Sequence, residues 1–547
     1  MPSRSDHLYE DKSTPTHGVD GGRLPPMARP NVWLAVFVAA LIPPSSAALA
    51  AERWTIGLTA KGSAIEALAV AGASANSPTV LLVGGVQGKD QSTDAVVREV
   101  AAFEARPQNQ RRFRLLAIPL ANPDAQPLQF PPTGPAYREH VESHVQWRWI
   151  GTHAPDLVLI VGADSGLAEA LSQNVVAEFG RIPARRVDPS AKMLDALTAT
   201  IERSGAREEV ERRMARSPRI FAEQLARVYG RELAQPTYIA AMAVISRLRL
   251  GEQAEVAQLA APYLDGTRDA FARPSQSSLA AHLLFFELAR PGGPEGPPLQ
   301  AGGPALRTGD ERAKALVLRA AGSAFTDAGE LREFMPLHGS WSDSLFMDVP
   351  ILAKAGALYG DRRYFDMAAR HVTFMQRTVL RPDGLYRHQA SAEAAWGRGN
   401  AFPALGLALT LSDFPTDHPA YPTLLASFQR HMAMLARFQD ENGMWRNVLD
   451  RPGAYSEYSA TAMIGTAMLR GVRRGWLDRA TYQPLVDRAW QAILTRTSAE
   501  GHVVDAAEST GTRGLTDDDY LRRAAILGRD DRSGGMAMFF ATELAGL

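Results

Sequence analysis

From about residue 205 to the end of the chain, apolar residues recur at i, i+3 and i+4, the spacing that lines one face of an α-helix. The pattern predicts helices over 350–358, 364–380, 424–438 and 460–473, among others. Residues 51 to about 200 have a different texture. Short apolar and β-branched runs at 78–83, 113–118 and 156–161 predict buried strands, the first ending in Gly84-Gly85, and they alternate with helical stretches such as 93–104. Alternation of this kind predicts an α/β layer with a largely parallel sheet, whose chemistry would sit at the strand ends.

A weak repeat organises the helical part. Acidic or amide residues next to a glycine recur at Asp265-Gly266, Asp327-Ala328-Gly329, Asp383-Gly384, Asn442-Gly443 and Glu500-Gly501, with glycine spacings of 63, 55, 59 and 58. Each glycine fits a left-handed stop of the kind that ends helices, and each segment between stops is long enough for two helices. Helical hairpins cannot bury their apolar faces alone, so the repeat predicts six of them closing into an (α/α)6 barrel, with an open helical array as the alternative. The Pro/Gly-rich stretch 290–307 reads as a long loop inside the second hairpin.

Composition narrows the function classes. The 547 residues contain no cysteine, which excludes disulfides and thiolate metal sites, and the length suggests more than one domain. Lys+Arg and Asp+Glu both number 59, so no net field attracts a polyanion, and nucleic-acid binding is disfavoured. The first fifty residues read as a leader. From Met27, Ala28-Arg29-Pro30-Asn31 gives a short basic region, 32–42 an apolar run, and Ala48-Leu49-Ala50 a small-residue cleavage site. The run is short and broken by Pro43-Pro44, which predicts a cleaved signal peptide from Met27 to Ala50, export to the periplasm or exterior, and no stable membrane insertion afterwards. The expected organisation is therefore leader 1–50, α/β domain 51–204 and an all-α barrel 205–547.

Candidate chemistry concentrates at 341–400. In Trp341-Ser342-Asp343-Ser344-Leu345-Phe346-Met347-Asp348-Val349-Pro350, two acids and an aromatic stand at the mouth of a helix, where Asp343 alone would read as a cap. In 385–400, Glu393, Trp396, Arg398 and Asn400 precede an apolar helix. Trp396 can stack on a pyranose face, Arg398 can grip a carboxylate with two parallel donors, and Asn400 can fix hydroxyls, a set suited to an acidic sugar.

These motifs, with Asn442-Gly443-Met444-Trp445, Tyr455-Ser456-Glu457-Tyr458-Ser459-Ala460-Thr461-Ala462 and Gly475-Trp476-Leu477-Asp478, resemble glycoside hydrolase families 88 and 105, the unsaturated glucuronyl and rhamnogalacturonyl hydrolases, over roughly 215–547. The resemblance implies a six-hairpin barrel. It also implies an enzyme that hydrates the C4=C5 double bond of a nonreducing-end unsaturated uronic acid on a lyase-generated oligosaccharide. An acid protonates C4, water adds at C5, and the hemiketal opens to release the rest of the chain, with no metal or organic cofactor. Asp343 matches one family acid. For the other, the family 105 position after His388-Gln389-Ala390 holds Ser391, whereas the family 88 position three residues before Trp396 holds Glu393. The implied site is Asp343 and Glu393 as acids, with Trp341, His388, Trp396, Arg398, Asn400 and Trp445 binding the acidic oligosaccharide. Glu457, in its helical surroundings, reads as a packing or hydrogen-bonding residue. The alternative reading is a noncatalytic uronate-binding or glycan-binding protein that has lost its acid.

Near the N-terminus, 83–90 and Ala121-Asn122-Pro123-Asp124 resemble the zinc carboxypeptidase family, with Gln87, Asp90 and Asp164 at the ligand positions. Zinc prefers imidazole there, so the resemblance implies a degenerate, noncatalytic domain.

Overall fold

The computed structural model describes residues 51–189, 192–290, 310–510 and 515–547. The expected signal segment lies outside them, as does nearly all of the expected 290–307 loop.

The α/β part runs β1 (Glu52–Leu58), β2 (Ala64–Val70), β3 (Thr79–Val83), α1 (Gln91–Glu104), β4 (Arg114–Ile118), α2 (Val141–His153), β5 (Leu157–Val161), α3 (Leu167–Gln173) and β6 (Ala184–Val187). These form one sheet in the order β1-β2-β4-β3-β5-β6. β4, β3, β5 and β6 are parallel, and the β1–β2 hairpin adds antiparallel to β4. The runs expected to be strands are β3, β4 and β5, whose residues are nearly all buried and therefore read as unbroken apolar stretches. β1 is an edge strand, mostly exposed or half-buried, and its mixed sequence gives no such signal. Val96, Val100 and Phe103 of α1 cover one face of the sheet, while Val145 and Ile150 of α2 and Leu167 and Leu171 of α3 cover the other.

The helical part begins with α4 (Gly205–Met214), whose Ala206 and Val210 still pack into the core beneath the sheet. There follow α5 (Pro218–Ala226), α6 (Tyr238–Arg249), α7 (Gln253–Leu264), α8 (Gln276–Ala281), α9 (Leu283–Ala289), α10 (Glu311–Ala321), α11 (Ser344–Met347), α12 (Val349–Tyr359), α13 (Arg362–Val379), α14 (Gly397–Asp413) and α15 (Tyr421–Ala436). The chain ends with β7 (Trp445–Arg446), β8 (Ser456–Glu457), α16 (Tyr458–Arg473), α17 (Arg479–Thr495), β9 (Val503–Ala507), α18 (Asp517–Leu521), β10 (Ala525–Gly528) and α19 (Asp531–Leu544). Among the described residues, α6 packs on α8, α8 on α11 and α12, α12 on α14, α14 on α16, α16 on α19, and α19 back on α6. The helices thus close into a ring, and α5, α7, α10, α13, α15 and α17 lie against it from outside. One continuous apolar core, from Phe221 to Ala541, fills the space between the layers.

The repeat seen in the sequence is a structural one. The glycines at 266, 329, 384, 443 and 501 all have φ between 79° and 90°, a region open to glycine at little cost. The last four sit at the tips of identical small turns, bridged as Phe325↔Leu331, Leu380↔Tyr386, Gln439↔Trp445 and Thr497↔Val503. These turns follow α10, α13, α15 and α17, so each carries the chain from an outer helix toward the next inner one. In these four the helix stops several residues before the glycine, which is the tip of a tight loop, whereas Gly266 directly follows the Asp265 cap of α7 and is the left-handed helix stop expected. Gly406 on α14 permits the closest approach inside the ring, because a Cβ there would collide with the Leu345 carbonyl oxygen of α11.

Candidate functional site

The starts of several inner helices lie together at one end of the ring. Tyr238, the first residue of α6, packs edge-on against Phe346 of α11 and Phe402 of α14, with centroids 5.9 and 5.7 Å apart. Arg398 at the start of α14 donates to Ser459 Oγ at the start of α16, and Arg532 at the start of α19 donates through Nε to the Tyr238 hydroxyl, 2.7 Å away. Helix N-termini carry partial positive charge, so this end of the ring favours anions.

Asp343 stands in the middle of this end. It precedes α11, but its side chain makes no capping hydrogen bond, so the simple capping role does not apply. Its carboxylate is 16% exposed, and Oδ1 lies 3.3 Å from Nε2 of the fully buried His388. Among the described residues neither atom makes a hydrogen bond, so the two face each other only at ion-pair distance. On the far side of the ring, His388 Nδ1 is 2.6 Å from the Tyr520 hydroxyl, which accepts from Gln389 Nε2 at 2.8 Å. Tyr520 accepts from Gln389, which leaves its own hydrogen free to donate to Nδ1; in that tautomer the imidazole proton sits on Nε2, facing Asp343. Burial holds the Tyr520 hydroxyl well above the ordinary phenol range, so it stays a donor. The half-buried indole of Trp341 stacks on His388 with centroids 5.3 Å apart.

The other acid of the first motif, Asp348, is fully buried and accepts from Ser344 Oγ and from Gln276 Nε2 at 3.2 Å. It anchors α11 from within and does not face solvent.

Several residues expected to touch substrate do structural work instead. Glu393, expected as the second acid, is 65% exposed and paired with Arg387 at 2.6 Å. It is a surface carboxylate held by a cation and lacks the burial that the expected role calls for. Ser391 is exposed as well. Arg398, expected to hold a carboxylate, spends its guanidinium on Ser459 Oγ, on the Ala507 carbonyl at 2.8 Å and on the Glu508 carbonyl at 2.7 Å. It lies 4.7 Å over the ring of Trp396, which is itself 2% exposed and donates to Asn447 Oδ1, so no indole face is left for a sugar. Asn400, expected to fix hydroxyls, is fully buried, accepts from Tyr386 N and donates to the Tyr386 and Trp396 carbonyls. Trp445, expected to bind substrate, is fully buried and donates to the Leu435 carbonyl. Glu457 caps α16 through Ser459 N and Ala460 N and accepts from Ala507 N at 2.9 Å, in line with the packing role read from its surroundings.

Three site residues were missed in the sequence: Tyr238, Tyr520 and Arg532. Tyr238 opens an apolar helix and reads as core. Tyr520 follows an acidic run, Asp517 to Asp519, that reads as a solvated turn. For Arg532 a signal did exist, since Asp530 two residues earlier is a helix-start residue and Asp530 Oδ2 does accept from Ser533 N. The Tyr238 hydroxyl, held above its ordinary range mainly by burial, senses the charges of Arg532, Arg398 and Asp343, which places all four groups in one electrostatic neighbourhood.

In the α/β part, the positions resembling zinc ligands are otherwise engaged. Asp90 caps α1 through Ser92 N, Asp164 Oδ1 accepts from Ala168 N, and Gln87 is exposed. Among the described residues no group of three His, Cys, Asp or Glu side chains is arranged to hold a metal ion.

Comparison with known proteins finds partial matches to this chain. Residues 307–547 match the model of Glycosyl Hydrolase Family 88. The unsaturated rhamnogalacturonyl hydrolase YesR of Bacillus subtilis is 28% identical over 182 residues, covering 31% of this chain and 50% of that protein. An unsaturated 3S-rhamnoglycuronyl hydrolase of Formosa agariphila is 27% identical over 184 residues, covering 30% of this chain and 48% of that protein. The chain thus spans about half the length of these relatives in the matched region. The solved structure of a family 88 glycosyl hydrolase from Bacteroides vulgatus is 15% identical, covers 61% of this chain and 100% of that one, and superposes with a TM-score of 0.47.

Proposed function

We propose that this protein is a glycoside hydrolase that removes an unsaturated uronic acid from the nonreducing end of lyase-generated oligosaccharides, by hydration of the C4=C5 double bond. The observation that carries the reading is Asp343. It is a partly exposed carboxyl group with one oxygen turned to a buried imidazole N–H, at the end of the ring where inner-helix N-termini gather. The family match over 307–547 and the unsaturated uronyl hydrolases among its relatives support the substrate class.

In this reading Asp343 Oδ2, which has no donor among the described residues, gives its proton to C4 of the unsaturated ring. Water adds at C5 and returns a proton to the Asp343 carboxylate, and the resulting hemiketal opens to free the remaining saccharide. His388 Nε2 faces Oδ1 at 3.3 Å, and in this reading the Tyr520 contact on Nδ1 favours the tautomer with its proton on Nε2. General acid catalysis by a positioned carboxyl group supplies about 10²- to 10⁴-fold, and a neighbouring donor that steadies the carboxylate left behind assists the forward transfer. Trp341, stacked beside His388, offers the one partly open aromatic face in this cluster. The α/β part, with its resemblance to a peptidase fold and its acids used as helix caps, is read as a noncatalytic support, and the leader 1–50 as an export signal.

The test is to mix the purified protein with oligosaccharides produced by a polysaccharide lyase and follow the absorbance of the conjugated double bond. Falling absorbance with release of the shortened saccharide is expected. Constant absorbance together with measurable binding would make the protein a uronate-binding one instead.

A further inference from the structure

Three hydrogen bonds tie both terminal nitrogens of the buried Arg398 to Ser459, Ala507 and Glu508, whereas an acidic sugar seated at Asp343 needs a partner for its carboxylate. Arg532 is less committed. Its Nε is committed to the Tyr238 hydroxyl at 2.7 Å, while among the described residues no hydrogen bond or ion pair takes either of its terminal nitrogens. The side chain is half-buried, so the fork is neither lost to bulk water nor sealed in the core. Tyr238 accepts the Arg532 N–H and so keeps its own O–H to donate. Together they offer three donors: two N–H groups in the fixed plane of a guanidinium and one phenolic O–H beside them. A planar carboxylate is the acceptor that such a fork fits bidentately. Of the two acids whose charge acts on Arg532, the Asp530 side chain accepts from Ser533 and the buried Glu457 from Ser459, Ala460 and Ala507, and neither is paired with the fork.

We propose that Arg532, backed by Tyr238, anchors the C5 carboxylate of the uronic acid and sets the specificity for acidic over neutral sugars. This rests on the functional reading above, in which the ring next to Asp343 is a uronide. Tyr238 is a positioning residue here, holding the guanidinium plane by its hydroxyl.

Two measurements test it. In the first, an unsaturated disaccharide and its C5 methyl ester are turned over by the wild-type protein, Arg532→Gln and Arg532→Lys. Loss of a bidentate charged contact predicts a KM for the free acid about 10- to 100-fold higher in Arg532→Gln, with the ester little affected, so that the acid-over-ester preference collapses. Arg532→Lys, a point charge without the fork, should fall between. An unchanged KM and an unchanged preference in Arg532→Gln, at wild-type melting temperature, would overturn the proposal. The second measurement does not depend on turnover. Equilibrium binding of glucuronate against glucose is measured in the Asp343→Asn background with and without Arg532→Gln. The preference for glucuronate should vanish with Arg532→Gln, and its survival would overturn the anchor. If wild-type protein consumes no unsaturated uronide while this binding preference is present and depends on Arg532, the hydrolase reading fails and the anchor stands.

Discussion

Gln389, Tyr520 and His388 form a line that ends facing one oxygen of the Asp343 carboxylate, with Gln389 donating to the Tyr520 hydroxyl at its far end. Removing the Tyr520 hydroxyl leaves the ring in its packed position against His388 and Trp396 but frees the imidazole to place its proton on Nδ1. Tyr520→Phe is therefore expected to lower kcat by about tenfold, with little change in KM, because the contact it affects is made to the acid and not to the sugar. Steady-state kinetics with the melting temperature as a control check this; equal kcat in both proteins would show that the tautomer does not matter. The chemistry of this residue trio was only partly legible in the sequence. Asp343 and His388 stand in recognisable motifs, whereas Tyr520 is more than 130 positions from His388 and reaches it only through the fold.

At the scale of elements, the start of α14 shows how a motif can point to the right place and the wrong role. Trp396, Arg398 and Asn400 are at the site end of the ring, as their composition suggested, but they knit backbones together: Arg398 ties α14 to the end of β9, and Asn400 ties it to the chain leaving α13. Sequence reasoning sees donors and acceptors; it does not see which backbone groups arrive to satisfy them. Asn400→Ala strands the buried Tyr386 N–H and removes a donor from two carbonyls, so a loss of about 2–4 kcal/mol is expected in denaturant unfolding. The surviving folded fraction should keep its KM, since Asn400 is fully buried. A stability within 0.5 kcal/mol of wild type, on the order of an ordinary surface change, would contradict the structural role. The glycine repeat, by contrast, was legible at this scale, because a positive-φ turn leaves a local signature while a side chain's partner does not.

For the molecule as a whole, the α/β part is packed directly onto the loops that complete the site. Arg148 of α2 donates to Asp505 of β9 at 2.5 Å and to the Ala525 carbonyl at 3.1 Å, with both members of the ion pair 6% exposed. Tyr137 donates to the same carboxylate and stacks on Tyr455 with centroids 4.3 Å apart. Tyr137 and Asp505 both hold φ near 67°, a region that costs a non-glycine residue energy and persists where surrounding contacts enforce it. Two residues beyond Asp505, the Ala507 N–H and carbonyl bind Glu457 and Arg398, and the same stretch leads on to Tyr520. Arg148→Met leaves Asp505 buried without its cation, and breaking a buried pair in this way costs about 3–5 kcal/mol. The Arg148→Met, Asp505→Leu double variant should recover part of that loss, and a double-mutant cycle with no coupling would show that the two parts of the chain are independent at this point. Alternating strands and helices in one half and helical periodicity in the other made both layers legible; the clamp between them was not, because it is built from single polar residues hundreds of positions apart.

The account stands on Asp343 as the acid of an unsaturated uronyl hydrolase. The most direct test compares wild-type protein with Asp343→Asn, an isosteric change that keeps the packing around His388, on lyase-generated oligosaccharides monitored by absorbance of the conjugated double bond. Wild-type protein is expected to consume the double bond, and Asp343→Asn to do so at least about 10²-fold more slowly while still binding the substrate. Equal rates in the two proteins, or no consumption by either, would contradict it.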